Sequence, residues 1–265
     1  MKKLVFTDLD GTLLDLKSYS FMQSIEAIEK LKSAGVPVIF CSSKTRNEQE
    51  FYRESLGIRD PFIVENGSAI YIPKGYFKQS IPYNTYVTGD YEVICLGKSV
   101  DSIRSVLLAK REQLGLNFMM YEDLPPEEIS MLTGLDLKSA RRAKARDYSE
   151  TILRGSLSES FYTAIDANGF RSIPGSKFET VISKYANKGK AVEILIELYA
   201  RENDDLETFA IGDSQNDAEM LAAVDNPFLV QRPDGEWAEL ADVTAQGISG
   251  VGPKGWVRVV DLILN

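Results

Sequence analysis

Short, unbroken apolar runs constrain this chain more than anything else in it. Leu4-Val5-Phe6 leads into Thr7-Asp8, Val36-Pro37-Val38-Ile39-Phe40-Cys41 into Ser42, and Phe209-Ala210-Ile211 into Gly212-Asp213; Phe62-Ile63-Val64 and Phe228-Leu229-Val230 have the same texture. None of these runs alternates apolar with polar residues. A strand of that kind is covered on both faces, which is the situation of a parallel sheet between two layers of helices. The segments between the runs carry helical spacing. Phe21, Ile25, Ile28 and Leu31 stop at Gly35, a helix runs through Phe51 to Leu56, Ala191, Val192, Leu195, Leu198 and Tyr199 form a stripe, and Trp256, Val259, Val260 and Ile263 form a closing one. Strand, helix and strand in this order predict an α/β chain with a doubly wound parallel sheet.

The middle of the sequence reads differently. Strands such as Glu92-Val93-Ile94-Cys95-Leu96 mix with an amphipathic helix through Val100, Ile103, Val106 and Leu107 and a basic helix over Leu137–Arg146. We expect an α+β domain over residues 83–186, inserted into a core made of residues 1–82 and 187–265. The basic helix is expected to present Lys138, Arg142 and Arg146 on one face, at successive i+4 positions.

Composition removes whole classes of chemistry. The chain has no histidine and two cysteines, Cys41 and Cys95. That excludes Ser-His-Asp and Cys-His nucleophile systems, His-ligated zinc and a Cys-rich metal centre. Catalysis is left to carboxylates, hydroxyls, Lys and Arg, and an oxygen-bound metal. With 30 Lys+Arg against 39 Asp+Glu, the formal charge of −9 disfavours nucleic acid as a partner. No apolar run approaches the roughly 18 residues of a membrane span, and the start of the chain does not read as a signal peptide. The expectation is a cytoplasmic protein with no membrane or nucleic-acid partner; the sequence leaves its oligomeric state open.

Asp8-Leu9-Asp10-Gly11-Thr12 follows the first apolar run, at the carboxyl end of a strand, where open α/β sheets bind ligands. Two carboxylates one residue apart repel each other unless a cation lies between them, and their oxygens suit a hard ion such as Mg²⁺. Three more positions end strands or open helices in the same way. The Ser42 hydroxyl suits a phosphate oxygen. The Lys188 ammonium can neutralise both a carboxylate and a phosphoryl oxygen, and Asp213 and Asp217 supply further oxygen ligands.

Taken together, Asp8–Thr12, Ser42, Lys188 and Gly212–Asp217 resemble the four motifs of the haloacid dehalogenase superfamily, whose fold is a Rossmann-like core. An insertion between the second and third motifs is similar to the Cof-like branch. Ser42-Ser43-Lys44-Thr45-Arg46, Val64-Glu65-Asn66-Gly67-Ser68-Ala69-Ile70-Tyr71, Ala143-Lys144-Ala145-Arg146-Asp147-Tyr148-Ser149-Glu150 and Lys188-Gly189-Lys190-Ala191 further resemble the mannosyl-3-phosphoglycerate phosphatases. Where that family shows a stretch ending in His, this chain reads Gly175-Ser176-Lys177-Phe178-Glu179-Thr180.

The resemblance implies a Mg²⁺-dependent phosphatase of carbohydrate metabolism, releasing mannosylglycerate and phosphate from a small phosphate ester through an aspartyl-phosphate. It implies Asp8 as nucleophile and Asp10 as acid and base, with Ser42, Ser43, Lys188 and Asn216 around the phosphate. It places the metal at Asp8, Asp10, Asp213 and Asp217, with Asp10 contributing its backbone carbonyl. In the inserted cap and nearby, Lys44, Asn66, Arg146, Ser149 and Lys177 are expected to bind substrate. A broader Cof-like sugar phosphate or phosphoglycolate phosphatase is the alternative within the class. Outside it stands a receiver-like phospho-aspartate switch, against which Asp10 and the long insertion both argue.

Overall fold

Leu4, Val5 and Phe6 are all fully buried, and the computed structural model of the chain shows what covers them. It describes residues 1–153, 157–175 and 178–265. In chain order the elements are β1 (Lys2–Thr7), α1 (Ile25–Ser33), β2 (Val38–Phe40), α2 (Arg46–Leu56), β3 (Phe62–Val64), β4 (Ala69–Pro73), β5 (Thr85–Thr88), β6 (Tyr91–Cys95), α3 (Val100–Gln113), β7 (Met119–Met120), α4 (Pro126–Thr133) and α5 (Leu137–Lys144). There follow β8 (Ser149–Leu153), α6 (Glu159–Ala167), β9 (Phe170–Pro174), β10 (Phe178–Ser183), α7 (Lys188–Ala200), β11 (Leu206–Gly212), α8 (Ala218–Ala222), β12 (Asn226–Gln231), β13 (Gln246–Val251) and α9 (Pro253–Leu264).

Five strands form an all-parallel sheet in the order β13-β12-β11-β1-β2. Val5, Val38 and Ile211 face a layer containing α1 and α9, where Ile28, Leu31, Trp256, Val259 and Val260 pack. Leu4, Phe6, Ile39 and Ala210 face α7 and α8, meeting Val192, Leu195, Met220 and Leu221. Both faces are covered, as unbroken apolar strands require. From β1 the chain winds to β2 on one side, and from β11 it winds away on the other. The carboxyl ends of β1 and β11 therefore flank the switch point, where open α/β sheets leave a crevice.

Two antiparallel sheets accompany this core, β3-β4-β6-β5 and β7-β8-β10-β9. The second carries α3 and α6 on one face around Ile103, Leu107, Phe161 and Val181 and belongs to the inserted α+β cap. Phe62–Val64, expected to continue the parallel sheet, instead pairs antiparallel with β4, and among the described residues an isolated Cys41–Ile63 bridge is its only parallel pairing. The β5–β6 hairpin, just after residue 83, adds to β4 and not to the second antiparallel sheet.

Two helix boundaries differ from the expectation for local reasons. α2 starts at Arg46, because the Thr45 hydroxyl accepts from the Glu48 N–H while the Glu48 carboxylate accepts from the Thr45 N–H. This reciprocal cap fixes a helix start ahead of the apolar stripe. The basic helix ends at Lys144, so Arg146 lies beyond it and leaves the face shared by Lys138 and Arg142. Arg142 packs its guanidinium over Phe51 at 4.1 Å, and Lys138 is exposed. Among the described residues no helix is long and apolar enough to cross a membrane.

Trp256 is the largest fully buried side chain. Its indole N–H donates to the Thr7 hydroxyl at 2.9 Å, and that hydroxyl donates to the Asp8 carbonyl at 2.7 Å. The closing helix thus holds the end of β1. Trp256→Ala is expected to cost about 3–5 kcal/mol by the cavity it opens, read as a lower urea midpoint. A loss below about 1 kcal/mol would show that α9 is not part of the cooperative core.

Candidate active site

The site is built at the ends of β1 and β11. Asp8 follows β1, and its backbone N–H donates to the Ile211 carbonyl at 2.9 Å, which ties the two strand ends together. Lys188, the first residue of α7, reaches in from the helix start and is 1% exposed. Its ammonium donates to Asp8 Oδ1 at 2.9 Å and to Asp217 Oδ1 at 2.8 Å. The other oxygen of Asp217 accepts from the backbone N–H of Asp213 at 3.0 Å and of Ser214 at 3.2 Å. One fully buried carboxylate therefore shapes the turn after β11 and anchors the lysine.

Two glycines make these approaches possible. Gly67 has φ +83°, and a Cβ there would run into the backbone of Asn187 and Lys188. Gly212 lies against the Asp217 side chain, where a Cβ would clash at 2.6 Å. Any other residue at either position would push Lys188 or Asp217 away from its partner.

Asp8, Asp213 and Asp217 each offer a carboxylate oxygen, all within 4.8 Å of one another, and all three residues are buried. Burial raises the Asp8 carboxyl to about 7, opposed by Lys188 and reinforced by Asp217. Burial, followed by the charges of Asp217 and Asp8, raises Asp213 to about 8. Lys188 stays charged, since the two carboxylates outweigh the burial that works against its ammonium. A single lysine among the described residues leaves this cluster short of positive charge. Among the described residues, Asp8 and Asp213 each keep an oxygen without a protein donor, the Thr12 hydroxyl occupying only Asp213 Oδ1 at 3.2 Å. An all-oxygen set of this charge fits a hard divalent cation.

The Asp10 side chain turns away from that cluster. It pairs with Lys44 at 3.0 Å, and Lys44 also reaches Glu48 at 3.4 Å. Burial raises the Asp10 carboxyl, and the Lys44 charge opposes the rise. Lys44 is buried, yet Asp10 and Glu48 hold its ammonium well above the usual range. A pocket of about 380 Å³ opens over this pair, reaching from Ser43 and Lys44 in the core to Arg146, Thr151 and Thr180.

The remaining expected residues divide. Ser42 is buried, and its hydroxyl accepts weakly from the Lys44 N–H at 3.4 Å. Asn66 is buried and accepts from the Asn216 side chain at 3.2 Å, which links the turn after β3 to the turn after β11. Arg146 lines the pocket, but Ser149 lies behind it, fully buried, accepting from the Arg146 guanidinium at 2.7 Å. Lys177 lies outside the described residues.

Sequence reasoning assigned no role to Glu65. Fully buried just after β3, it accepts from the backbone N–H of Asp147 at 2.9 Å and of Tyr148 at 3.1 Å, and from the Ser149 hydroxyl. Its signal resembles the one that marks Asp8 and Asp213, a carboxylate within two residues of the end of an apolar run.

The raised carboxyls set a pH dependence. Asp8 and Asp213 hold protons in the folded chain that the unfolded chain, with an ordinary value of 3.8, has already released. Their contribution to stability is therefore fully present below that value and is lost as pH rises through about 7 and 8. With a chelator, the melting temperature is expected to drop between about pH 5 and about pH 8.5, and saturating Mg²⁺ to flatten that drop by displacing the protons. Equal slopes with and without the ion would count against a cation in the cluster.

A family model of haloacid dehalogenase-like hydrolases matches residues 5–88 and 144–247. The chain is 40% identical over 268 residues to a glucosyl-3-phosphoglycerate/mannosyl-3-phosphoglycerate phosphatase of Methanococcoides burtonii, covering 99% of this chain and 98% of the relative. It is 41% identical over 230 residues to a mannosyl-3-phosphoglycerate phosphatase of Pyrococcus furiosus, covering 87% and 91%. Among solved structures, a Thermoplasma acidophilum protein superposes with a TM-score of 0.69 at 17% identity, covering 100% of both chains. A Bacteroides thetaiotaomicron phosphatase of the haloalkanoate superfamily superposes with a TM-score of 0.65 at 15% identity, covering 100% of this chain and 96% of the other. These two speak for the fold. With its Asp8, Lys188 and Asp213 cluster at the switch point, the chain belongs to the haloacid dehalogenase-like hydrolases.

Proposed function

We propose that the chain is a Mg²⁺-dependent phosphatase that hydrolyses mannosyl- or glucosyl-3-phosphoglycerate to the glycosylglycerate and phosphate. One observation carries this reading: the match to a phosphatase of that name is 40% identical and covers 99% of the chain, core and cap together. The geometry supports it, because the described lining of the pocket over Asp10 includes the cations Lys44 and Arg146, suited to a phosphate ester that also bears a carboxylate. Residues 83–186 form the specificity cap in this reading, and residues 1–82 and 187–265 the catalytic core. Cys41 and Cys95 are free thiols, in keeping with a cytoplasmic setting.

The Asp8 carboxylate attacks phosphorus. The P–O bond to the leaving group breaks, and the departing alkoxide takes a proton from Asp10, whose raised carboxyl is suited to hold one. Water then attacks the aspartyl-phosphate, Asp10 takes back a proton, and phosphate leaves with Asp8 restored. Lys188 and the Ser42 hydroxyl offset charge on the transferring oxygens, with Ser43 and Asn216 beside them. Asp8, Asp213 and the Asp10 main chain would hold Mg²⁺, with Asp217 behind them, and the bound ion would supply positive charge against the phosphoryl group.

Asp8→Asn is expected to abolish turnover, and Asp10→Asn to lower kcat by about 10²–10⁴. Single-turnover rates measured by phosphate release check both; an Asp8→Asn chain that still turns over would remove the aspartyl-phosphate. The substrate is tested on a panel of mannosyl- and glucosyl-3-phosphoglycerate, simple sugar phosphates and phosphoglycolate. The glycosyl esters are expected to lead by about 100-fold or more in kcat/KM. A comparable lead for a simple sugar phosphate would replace this substrate with the broader Cof-like one and leave the chemistry standing.

A further inference from the structure

The roof of the pocket contains a buried hydroxyl that nothing in the protein satisfies. Thr151 is 3% exposed, lines the pocket, and its Oγ1 has no hydrogen-bond partner among the described residues. It lies in the middle of β8, directly opposite Thr180 on β10. Side chains on a strand alternate, so Ile152 and Val181 face the cap's own core while Thr151 and Thr180 face the pocket. Opposed threonines on one sheet face are close enough to hydrogen bond to each other, yet Thr151 makes no such bond. A buried hydroxyl left unpaired is destabilising, so the free chain bears a cost that a ligand can relieve.

The surroundings define that ligand. Lys44 and Arg146 line the same pocket and suit carboxylate or phosphate oxygens. A threonine hydroxyl both donates and accepts, and the partner that uses both is another hydroxyl. Tyr121, Phe178, Leu132 and Leu135 give the same pocket apolar walls suited to the C–H face of a sugar ring. We propose that Thr151, with Thr180 across from it, is a specificity-determining hydroxyl pair that binds a hydroxyl of the glycosyl group in the leaving alcohol. This rests on the glycosyl-3-phosphoglycerate reading above and adds to it the residues that distinguish the glycosylated ester from phosphoglycerate alone.

The experiment compares kcat/KM for mannosyl-3-phosphoglycerate with that for 3-phosphoglycerate, which lacks the sugar. In Thr151→Val, which keeps the shape and removes the hydroxyl, the preference for the glycosylated ester is expected to fall about tenfold, the worth of one neutral hydrogen bond. Thr151→Ser is expected to retain it. Calorimetric binding of mannosylglycerate should weaken by the same factor in Thr151→Val, and the melting temperature of that variant should hold or rise by about 2–4 °C. An unchanged preference in Thr151→Val, or a marked loss of its thermal stability, would overturn the pair as a sugar subsite while leaving the phosphatase reading intact. A wild-type chain that shows no preference for the glycosylated ester would overturn the substrate reading, and the subsite with it.

Discussion

The ammonium of Lys188, shared between Asp8 and Asp217 in a site almost closed to water, is the contact on which the rest of the active site depends. Charges removed from water are costly unless paired and hydrogen-bonded, and here one cation faces three buried carboxylates. The fold meets part of that cost with backbone donors, since Asp217 also accepts from the Asp213 and Ser214 N–H groups. The remainder shows in the raised carboxyls of Asp8 and Asp213. A site held short of positive charge is ready for a metal ion and for phosphoryl transfer, at some expense in stability of the free chain. Gly67 and Gly212 follow from this contact, because only their missing side chains let the turns after β3 and β11 close around it.

A second carboxylate connects core and cap. Glu65 receives two backbone N–H groups and a hydroxyl from residues 147–149 at the start of β8. Its carboxyl is raised by burial, with Arg146, Ser149 and the two N–H groups acting against that rise. Through Ser149 it also fixes Arg146, which lines the pocket. Thr45 adds a second tie, its hydroxyl donating to the Arg142 carbonyl at 2.9 Å. The cap strand that carries Thr151 is therefore registered against the core by Glu65 at one end. Ser149, which the sequence suggested as a substrate ligand, serves as a bridge between Glu65 and Arg146.

Much of this was legible in the sequence because it is local. An apolar run followed by Asp marks a buried strand with a carboxylate at its end, and β1 and β11 bear that out at Asp8 and Asp213. The helical stripes of α7 and α9 lie where the spacing put them. The errors fall where local pattern underdetermines pairing. Phe62–Val64 reads like any other buried strand, but its partner is the antiparallel β4, and nothing in three apolar residues encodes that choice. Arg146 follows Arg142 at helical spacing, yet α5 has already ended, so the i+4 argument does not reach it.

By itself the sequence determined the class of fold, the covered parallel sheet and the chemistry available to it. These follow from which residues are apolar in succession and from the absence of histidine. The tertiary structure alone decided which carboxylates meet. Asp8 and Asp217 are brought to one lysine by the pairing of β1 with β11, Asp10 is turned to Lys44, and Glu65 is committed to the cap. It also decided that the Thr151 hydroxyl would be buried facing a pocket without a partner. Such facts depend on contacts between residues far apart in the chain, and their energies are set by burial, which no single stretch of sequence records.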